Sequence, residues 1–394
     1  MKHKIKSLTN SAFPYVCDVY KQLHAHPELS FHETETAAFI QRQLTEMGIP
    51  FRANIGTTGI LGVLKGKNPN KKIIALRADM DALPITEETD LPYKSENEHC
   101  MHACGHDAHV SSLLGAAKVL TSIKEELEGT VLFIFQPGEE RNPGGARLML
   151  EDGVFDEYKP DLILAQHVSV DYPVGTVAFR PGIIMASADE IHITVKGKGG
   201  HGALPHLFND TVLATAQIVV SLQQIRARLS YPFTPMVLSF GKFIADGATN
   251  VIPDEVKLSG TLRTMDEKWR DECKAHIKRI TTETALAYGC TCEIDAQDGY
   301  TTVNNDPEIT ANAIRFATEM VGLDRIEELE VRMTGEDFGF FTHQYPCSFY
   351  RFGIRGATNP NCGGLHTSTF QLDLEAFKTS VNVMAWLAWC NLNE

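Results

Sequence analysis

A short stretch near residue 105 concentrates side chains that bind metal ions. Met101 to His109 reads MHACGHDAH, so a thiol, a carboxylate and three imidazoles fall within nine residues. Thiolate, imidazole and carboxylate are the groups that divalent transition metals prefer in proteins. An ordinary core or loop segment has no need to bring them together. We therefore expect Cys104 and His106 to bind metal, with further ligands supplied by other parts of the chain.

Other candidate ligands follow apolar runs that are typical of buried strands. These runs cover residues 73–76, 131–135 and 162–164. Buried apolar strands that alternate with helices predict a largely parallel sheet, and binding sites in such sheets lie beyond the carboxyl ends of the strands. The residues at those ends are Asp79, Asp81, Glu139, Glu140 and His167. A further candidate is His366, which lies in the glycine-rich segment 362–366.

Glu139 and Glu140 form a carboxylate pair directly after Pro137 and Gly138, where the chain reverses abruptly. Adjacent side chains at such a turn can point in different directions, so one can bind metal while the other faces a water molecule. That division suits hydrolysis, which needs a Lewis acid to lower the pKa of water and a general base to take its proton. Taken alone the pair is weak evidence, because adjacent glutamates usually lie in a solvated loop.

The number of candidate ligands indicates more than one metal ion. Five candidates exceed what one tetrahedral zinc ion needs, and they are Cys104, His106, Glu140, His167 and His366. Two ions that share a bridge would use all five, with the Cys104 thiolate or a hydroxide as the bridge. Asp79 and Asp81 are then better suited to accept a hydrogen bond from a metal-binding histidine, which fixes the tautomer of its ring.

The residue pattern predicts two domains. A chain of 394 residues is long for one domain and suits two. Near Ser187 the pattern changes to alternating strands and two amphipathic helices, in the β-α-β-β-α-β order of a ferredoxin-like unit. We expect this unit to be inserted at residues 185–296. Residues 1–184 and 297–394 would form an α/β catalytic domain with a mostly parallel sheet and helices on both faces.

Composition and charge exclude several classes of partner. The chain is 43% hydrophobic and 22% charged, as in a globular protein. Its net charge of −14 argues against binding to nucleic acid or to an anionic membrane. No apolar run approaches membrane-spanning length, and the basic N-terminus lacks the apolar region of a signal peptide. Nine cysteines without a framework spacing predict free thiols in a reducing cytoplasm.

The ordered motifs along the chain resemble those of the dinuclear-metal aminoacylase, carboxypeptidase and hippurate hydrolase family. The chain is most similar to the branch that includes bacterial N-acyl-amino-acid amidohydrolases and plant auxin-conjugate hydrolases. The resemblance covers almost the whole chain. It rests on residues 23–29, 77–84, 101–109, 136–140, 197–205, 250–253, 260–264, 335–338 and 365–366.

The resemblance implies a role for each motif residue. It implies metal ligation by Cys104, His106, Glu140, His167 and His366. Glu139 would activate water and then protonate the leaving amine. The inserted domain of such proteins dimerises and closes over the site, so His201 would stabilise the oxyanion in the neighbouring subunit, with Asn250 and Arg263 near the substrate carboxylate. The two divalent ions would be manganese, zinc, cobalt or nickel, since the ligand set alone does not choose between them.

We therefore expect a cytoplasmic, metal-dependent amidohydrolase of the aminoacylase type. It would cleave the amide bond of a small N-acyl amino acid to a carboxylate and a free amino acid, acting as a homodimer or a higher homo-oligomer. Alternatives within the same family are a dipeptidase, a carboxypeptidase or an N-acetyl-diaminopimelate deacetylase. Family members commonly carry a proline soon after the strand-end histidine, whereas here Pro173 comes later and Val170 and Tyr172 precede it. If this segment lines the acyl pocket, no relative's substrate preference can be assumed.

Two alternatives belong to other classes of protein. A structural metal-binding module would use Cys100 and Cys104 with His99 and His102, would need metal to fold and would hydrolyse nothing. A thiol hydrolase would use Cys104 as nucleophile with a histidine base, so it would be sensitive to alkylation and indifferent to chelators.

Overall fold

A computed structural model describes residues 1–357 and 361–394 of the chain. Within these residues the chain forms two compact units. The first contains Met1–Ile184, Asn304–Glu330 and Asp337–Glu394, and the second contains Met185–Val303 and Val331–Glu336.

The first part of the chain alternates helices and strands until the second unit begins. Its helices are α1 (Lys2–Ala25), α2 (Thr34–Glu46), α3 (His106–Thr121) and α4 (Gly145–Glu151). Its strands are β1 (Phe51–Ile55), β2 (Gly59–Lys65), β3 (Ile73–Asp79), β4 (Thr130–Gln136), β5 (Leu162–Pro173), β6 (Val177–Phe179) and β7 (Gly182–Met185). Every residue of β4 is buried, as its continuous apolar sequence predicts.

The second unit has the predicted ferredoxin-like arrangement. Its main strands are β8 (Ser187–Lys196), β10 (Met236–Ile244), β12 (Glu255–Thr264) and β13 (Thr291–Tyr300), and a short ribbon joins β9 (Gly200–His201) to β11 (Val251–Ile252). The helices are α5 (Thr211–Gln224) and α6 (Glu267–Ala287). The sheet order is β10-β12-β8-β13, with antiparallel pairing throughout. In β8, Ile191, Ile193 and Val195 are buried and belong to the core cluster that also contains side chains of both helices.

The second unit continues past the predicted boundary at residue 296. That residue lies inside β13, whose pairing with β8 continues to Tyr300 opposite Ala188. Because inter-strand hydrogen bonds hold the strand in its sheet, the chain leaves this unit only after the strand ends. Val331–Glu336 also belongs to the second unit, a return that the sequence pattern did not predict.

The last part of the chain completes the first unit. Its elements are β14 (Val303–Asn305), α7 (Pro307–Val321), β15 (Ile326–Glu328), α8 (Gly339–Thr342), β16 (Cys347–Arg355) and α9 (Ala376–Asn393). Within the first unit, α3 packs against α1 and α9. The buried apolar side chains of these helices and of the sheet form one continuous core.

The first unit is built on an eight-stranded sheet in the order β1-β2-β4-β3-β5-β16-β6-β15. The four middle strands, β4, β3, β5 and β16, run parallel to one another, whereas β1, β2 and β6 make antiparallel pairs. The mainly parallel sheet agrees with the prediction. Because the middle strands are parallel, the residues at their carboxyl ends meet along one edge of the sheet.

Candidate metal centre

Cys104, His106 and His167 lie together at this edge of the sheet. Cys104 precedes α3, His106 begins α3 and His167 lies in β5. One potential ligand atom of each lies within 4.8 Å of the other two, and the Cys104 Sγ is 3.5 Å from the His167 Nε2. All three residues are buried. The structure therefore places one thiol and two imidazoles where they could hold a single metal ion.

Cys104 also belongs to a second group of potential ligands, with Glu140 and His366. Their ligand atoms again lie within 4.8 Å of one another. The His366 Nε2 is 3.3 Å from the Cys104 Sγ and 3.0 Å from a carboxylate oxygen of Glu140. The backbone of His366 adopts a left-handed φ of 61°, and its N–H donates to the Ala103 carbonyl at 2.8 Å. Two three-residue groups thus share the Cys104 sulfur.

The ring of His106 is oriented by Asp81. The His106 Nδ1 is 2.9 Å from the Asp81 carbonyl oxygen and 3.1 Å from its carboxylate. The same carboxylate accepts from the Ser30 hydroxyl at 2.6 Å and from the Glu140 N–H at 2.9 Å. The His106 Nε2 is buried and has no hydrogen-bond partner among the described residues. A buried ring nitrogen without a hydrogen-bond partner suits metal binding, because a metal ion would occupy its lone pair.

The ring of His167 is oriented by its neighbour along the strand. Its Nδ1–H donates to the Val168 carbonyl at 2.8 Å, which leaves the Nε2 facing the Cys104 sulfur. Burial lowers the pKa of His167 well below its usual range, so the ring is neutral at physiological pH. A neutral imidazole with a free nitrogen is the form that binds metal.

The pKa values of His106, His366 and Cys104 are all raised within the cluster. Burial lowers the pKa of His106, but the nearby Asp79 and Cys104 outweigh it and hold that pKa well above its usual value. Hydrogen bonds with Cys104 and Glu140 raise the pKa of His366 to about 10. Burial raises the pKa of the Cys104 thiol. The surrounding negative groups therefore favour positive charge at this place, and a cation would displace these protons.

Adding zinc to metal-free protein at pH 7.5 is therefore expected to release about two or three protons per chain. Cys104 contacts both His106 and His366, so the three side chains share their protons, and their raised pKa values keep protons on this group at that pH. These protons must leave before the three side chains bind metal. The release can be measured as the pH change in a weakly buffered solution. His366→Ala should release about one proton fewer, and an unchanged pH on zinc addition would contradict the assignment.

Glu139 lies beside the two groups. It is buried, with 6% of its surface exposed, and one carboxylate oxygen is 4.0 Å from the His106 Nε2. Potential ligand atoms of His106, Glu139 and Glu140 also fall within 4.8 Å of one another. A carboxylate at this position can accept a proton from a molecule bound next to His106.

Asp79 has a different partner from the one expected. Its carboxylate is 2.5 Å from the His109 Nδ1 and accepts from Arg77 at 2.6 Å, whereas the His106 Nε2 lies 3.7 Å away. Arg77 also donates to Gln136 at 2.8 Å and to Asp337 at 3.0 Å.

Sequence reasoning did not assign a role to Arg77 or His109. The sequence signal for Arg77 was a single cation within the apolar run of β3. A charge buried in such a strand needs buried partners, so Arg77 could have been predicted to contact carboxylates. His109 lies within the metal-binding segment, but its partners are 30 and 59 residues away in sequence.

The second unit holds the three remaining candidate residues. His201 lies in β9 and pairs with Val251 of β11, so it is close to Asn250, which precedes that strand. His201 and Asn250 are exposed. Arg263 lies in β12, half-buried, and its Nε–H donates to the Thr261 hydroxyl at 3.0 Å.

The structure favours neither alternative class of protein. Among the residues that the structure describes, no group of potential metal ligands contains His99, Cys100 or His102. This leaves the structural metal-binding module without its ligand set. The raised pKa of Cys104 disfavours the thiolate that a cysteine nucleophile needs. No helix in the described part of the chain combines the length and the apolarity needed to cross a membrane.

Comparison with known sequences identifies relatives along nearly the whole chain. A family model described as Peptidase family M20/M25/M40 matches residues 75–389. An N-acetyldiaminopimelate deacetylase from Geobacillus sp. (strain WCH70) is 42% identical over 348 residues, which are 88% of this chain and 90% of the relative. Thermostable carboxypeptidase 1 from Saccharolobus solfataricus is 36% identical over 392 residues, which are 98% of this chain and 97% of the relative.

A solved structure shares the fold. The Bacillus subtilis YXEP protein is described as a dinuclear metal binding peptidase from the M20 family. It superposes with a TM-score of 0.83 at 34% identity, and the match covers 98% of this chain and 99% of that one. We conclude that the chain belongs to peptidase family M20/M25/M40 and is a hydrolase of amide bonds.

Proposed function

We propose that this protein is a metal-dependent amidohydrolase that cleaves N-acyl amino acids into a carboxylate and a free amino acid. The observation that carries the proposal is that Cys104 belongs to two groups of potential metal ligands, with the Glu139 carboxylate beside them. Two ligand groups that share one residue suit a pair of metal ions, and the adjacent carboxylate suits a general base.

In this proposal two divalent ions would bind at the cluster. Cys104, His106 and His167 would hold one, and Cys104, Glu140 and His366 would hold the other. When bound, such ions act as Lewis acids that lower the pKa of water and polarise a carbonyl oxygen. Support comes from the buried Nε2 of His106 and from the similar Bacillus subtilis protein, which is described as a dinuclear metal binding peptidase. The ligand types are compatible with zinc, manganese, cobalt or nickel.

Glu139 acts as the general base and then as the general acid. It accepts a proton from the attacking water and delivers it to the nitrogen of the leaving amino acid.

The second unit supplies groups to the substrate. His201 binds the oxyanion that develops on the amide carbonyl, in the site of a partner subunit. Asn250 and Arg263 bind the carboxylate of the amino acid, for which the Arg263 guanidinium offers a two-point contact.

A homodimer formed through the second unit would allow His201 to reach a partner. β10 is an edge strand of its sheet, and Val237, Phe243 and Ile244 on this strand are 37%, 44% and 43% exposed. An exposed apolar edge of this kind favours association.

All nine cysteines are free thiols, which suits the reducing conditions of the cytoplasm.

A second candidate function is the removal of an acetyl group from N-acetyldiaminopimelate. It is favoured by the relative that is 42% identical and is described as an N-acetyldiaminopimelate deacetylase. Dipeptides are also among the compounds to be tested, because another relative, 36% identical, is described as a carboxypeptidase.

The proposal is tested with one panel of substrates. Protein stripped of metal is reconstituted separately with manganese and with zinc, then assayed on N-acetyl and N-benzoyl amino acids, N-acetyldiaminopimelate and dipeptides. We expect metal-dependent release of free amino acid from the N-acyl compounds. Cys104→Ala is the negative control, because it removes the residue common to both ligand groups and should abolish the metal-dependent activity. Preferential cleavage of dipeptides, or no cleavage with either metal, would contradict the proposal.

A further inference from the structure

His109 is a buried histidine close to the cluster that the proposed reaction does not use. It lies in the first turn of α3 and has 0% of its surface exposed. Its Nδ1 is 2.5 Å from the Asp79 carboxylate, and its Nε2 accepts the Val168 N–H at 3.0 Å. Because a backbone N–H can only donate, the Nε2 lone pair is occupied and the Nδ1 carries the proton that Asp79 accepts. Both ring nitrogens are therefore engaged in hydrogen bonds, although potential ligand atoms of His109, Asp79 and His106 also lie within 4.8 Å of one another.

The contact with Val168 leads directly to His167. The Val168 N–H is held by His109, and the Val168 carbonyl accepts the Nδ1–H of His167. The orientation of the Val168 backbone thus determines where the His167 ring points. The two rings also pack edge to face, with centroids 4.5 Å apart and planes at 61°. This arrangement keeps the His167 Nε2 directed at the Cys104 sulfur, 3.5 Å away.

The contact with Asp79 determines the tautomer of His109. Asp79 is fully buried, and Arg77 holds its other oxygen at 2.6 Å. A carboxylate fixed in this way can only accept, so it keeps the proton of His109 on Nδ1 and leaves Nε2 as an acceptor. The order of contacts is Arg77, Asp79, His109, Val168 and His167.

We infer that His109 is a positioning residue for the metal ion assigned to Cys104, His106 and His167. It acts through the Val168 backbone to orient the His167 ring, and Asp79 holds it in the required tautomer. This inference rests on the metal site of the proposed function but concerns a residue outside the ligand set. A purely structural histidine would contribute to folding without selective effect on one metal ion.

Three variants separate the contact of His109 with Val168 from its contact with Asp79. His109→Gln places an amide near the position of Nε2 and can still accept from Val168. His109→Asn places its amide near Nδ1 and can reach Asp79 but not Val168. His109→Phe keeps a ring and removes both contacts. Loss of an outer contact to a metal-binding histidine weakens metal affinity by about 10–100-fold. We expect that loss for one ion only, in His109→Asn and His109→Phe, with His109→Gln close to the wild type.

Metal binding is measured by competition with a chromogenic chelator, with the stoichiometry counted by elemental analysis. The visible absorption of cobalt-loaded protein reports whether the ligand geometry changes. Val110→Ala is the matched control, because Val110 is buried in the same helix and its truncation weakens packing without removing a hydrogen bond. Circular dichroism identifies any variant that does not fold, and the Gln and Asn pair decides the outcome if His109→Phe fails to fold.

Two results would overturn the inference. One is that His109→Asn binds both ions as the wild type does. The other is that Val110→Ala or His109→Gln loses the same ion to the same extent. A wild-type protein that binds two ions but cleaves nothing in the substrate panel would refute the proposed reaction. The metal affinities of the His109 variants could still be compared in that case. A wild-type protein that binds no metal would refute the metal site and the inference together.

Discussion

Glu139→Gln is expected to retain both metal ions and to lower kcat by about 10²–10⁴-fold, the usual contribution of a positioned general base. The amide has nearly the same shape as the carboxylate but cannot take a proton from water. Glu139 is not a member of either ligand group that shares Cys104, so the variant should keep its metal. KM should change little, because the carboxylate acts on the reacting water rather than on the bound substrate.

The measurement is steady-state hydrolysis of the best N-acyl amino acid, with metal content determined on the same preparation. Glu98→Gln is the matched control, because its side chain is 86% exposed and the same chemical change there should leave kcat unaltered. Wild-type activity in Glu139→Gln would remove this residue as the base. Loss of metal together with activity would instead make Glu139 a ligand.

Arg77→Met is expected to lower the free energy of unfolding by about 3–5 kcal/mol, as when one partner of a buried ion pair is removed. Arg77 is fully buried and contacts the carboxylates of Asp79 and Asp337. Methionine fills similar space but leaves both carboxylates in the interior without this cation. The loss is measured by urea unfolding of metal-free protein, so that bound metal does not add to stability.

Arg147→Met provides the comparison for this prediction. Arg147 pairs with Glu151 on an exposed face of α4, with the two side chains 41% and 55% exposed. Exposed pairs contribute about 0–1 kcal/mol, because water screens them. Equal stability of the two variants would show that the buried pairs of Arg77 contribute no more than a surface pair does.

The clustering of the candidate ligands was predictable because each of its parts has a local signature. The apolar runs of β3, β4 and β5 identify buried strands, and parallel strands place their carboxyl ends along one edge. Asp79, Glu139 and His167 come at or just after those runs. Cys104 and His106 stand out by composition alone. The fold class followed from the same alternation of strands and helices, and the ferredoxin-like order of the second unit followed from its periodicity.

Hydrogen-bond partners were not predictable in the same way. Asp79 and Asp81 have the same residue type, two positions apart, yet Asp81 orients His106 and Asp79 contacts His109. Only the three-dimensional register of β3 against α3 decides between them. The domain boundary was placed inside β13 for a related reason. The residues from 297 to 300 include Asp298 and Gly299, which are unusual in a strand, and only pairing with β8 shows that the strand continues.

Solvent reaches the proposed ligands unequally, and this has a consequence for how the enzyme is handled. The His366 side chain is 52% exposed and that of Glu140 is 13% exposed, whereas that of His106 is 1% exposed. In the proposed metal centre, an ion held by His366 and Glu140 would exchange with the medium more readily than one enclosed by His106 and His167. Purified samples would then differ in metal occupancy at the outer position according to the trace metals they have met. Specific activity would depend on the history of a preparation as well as on its purity.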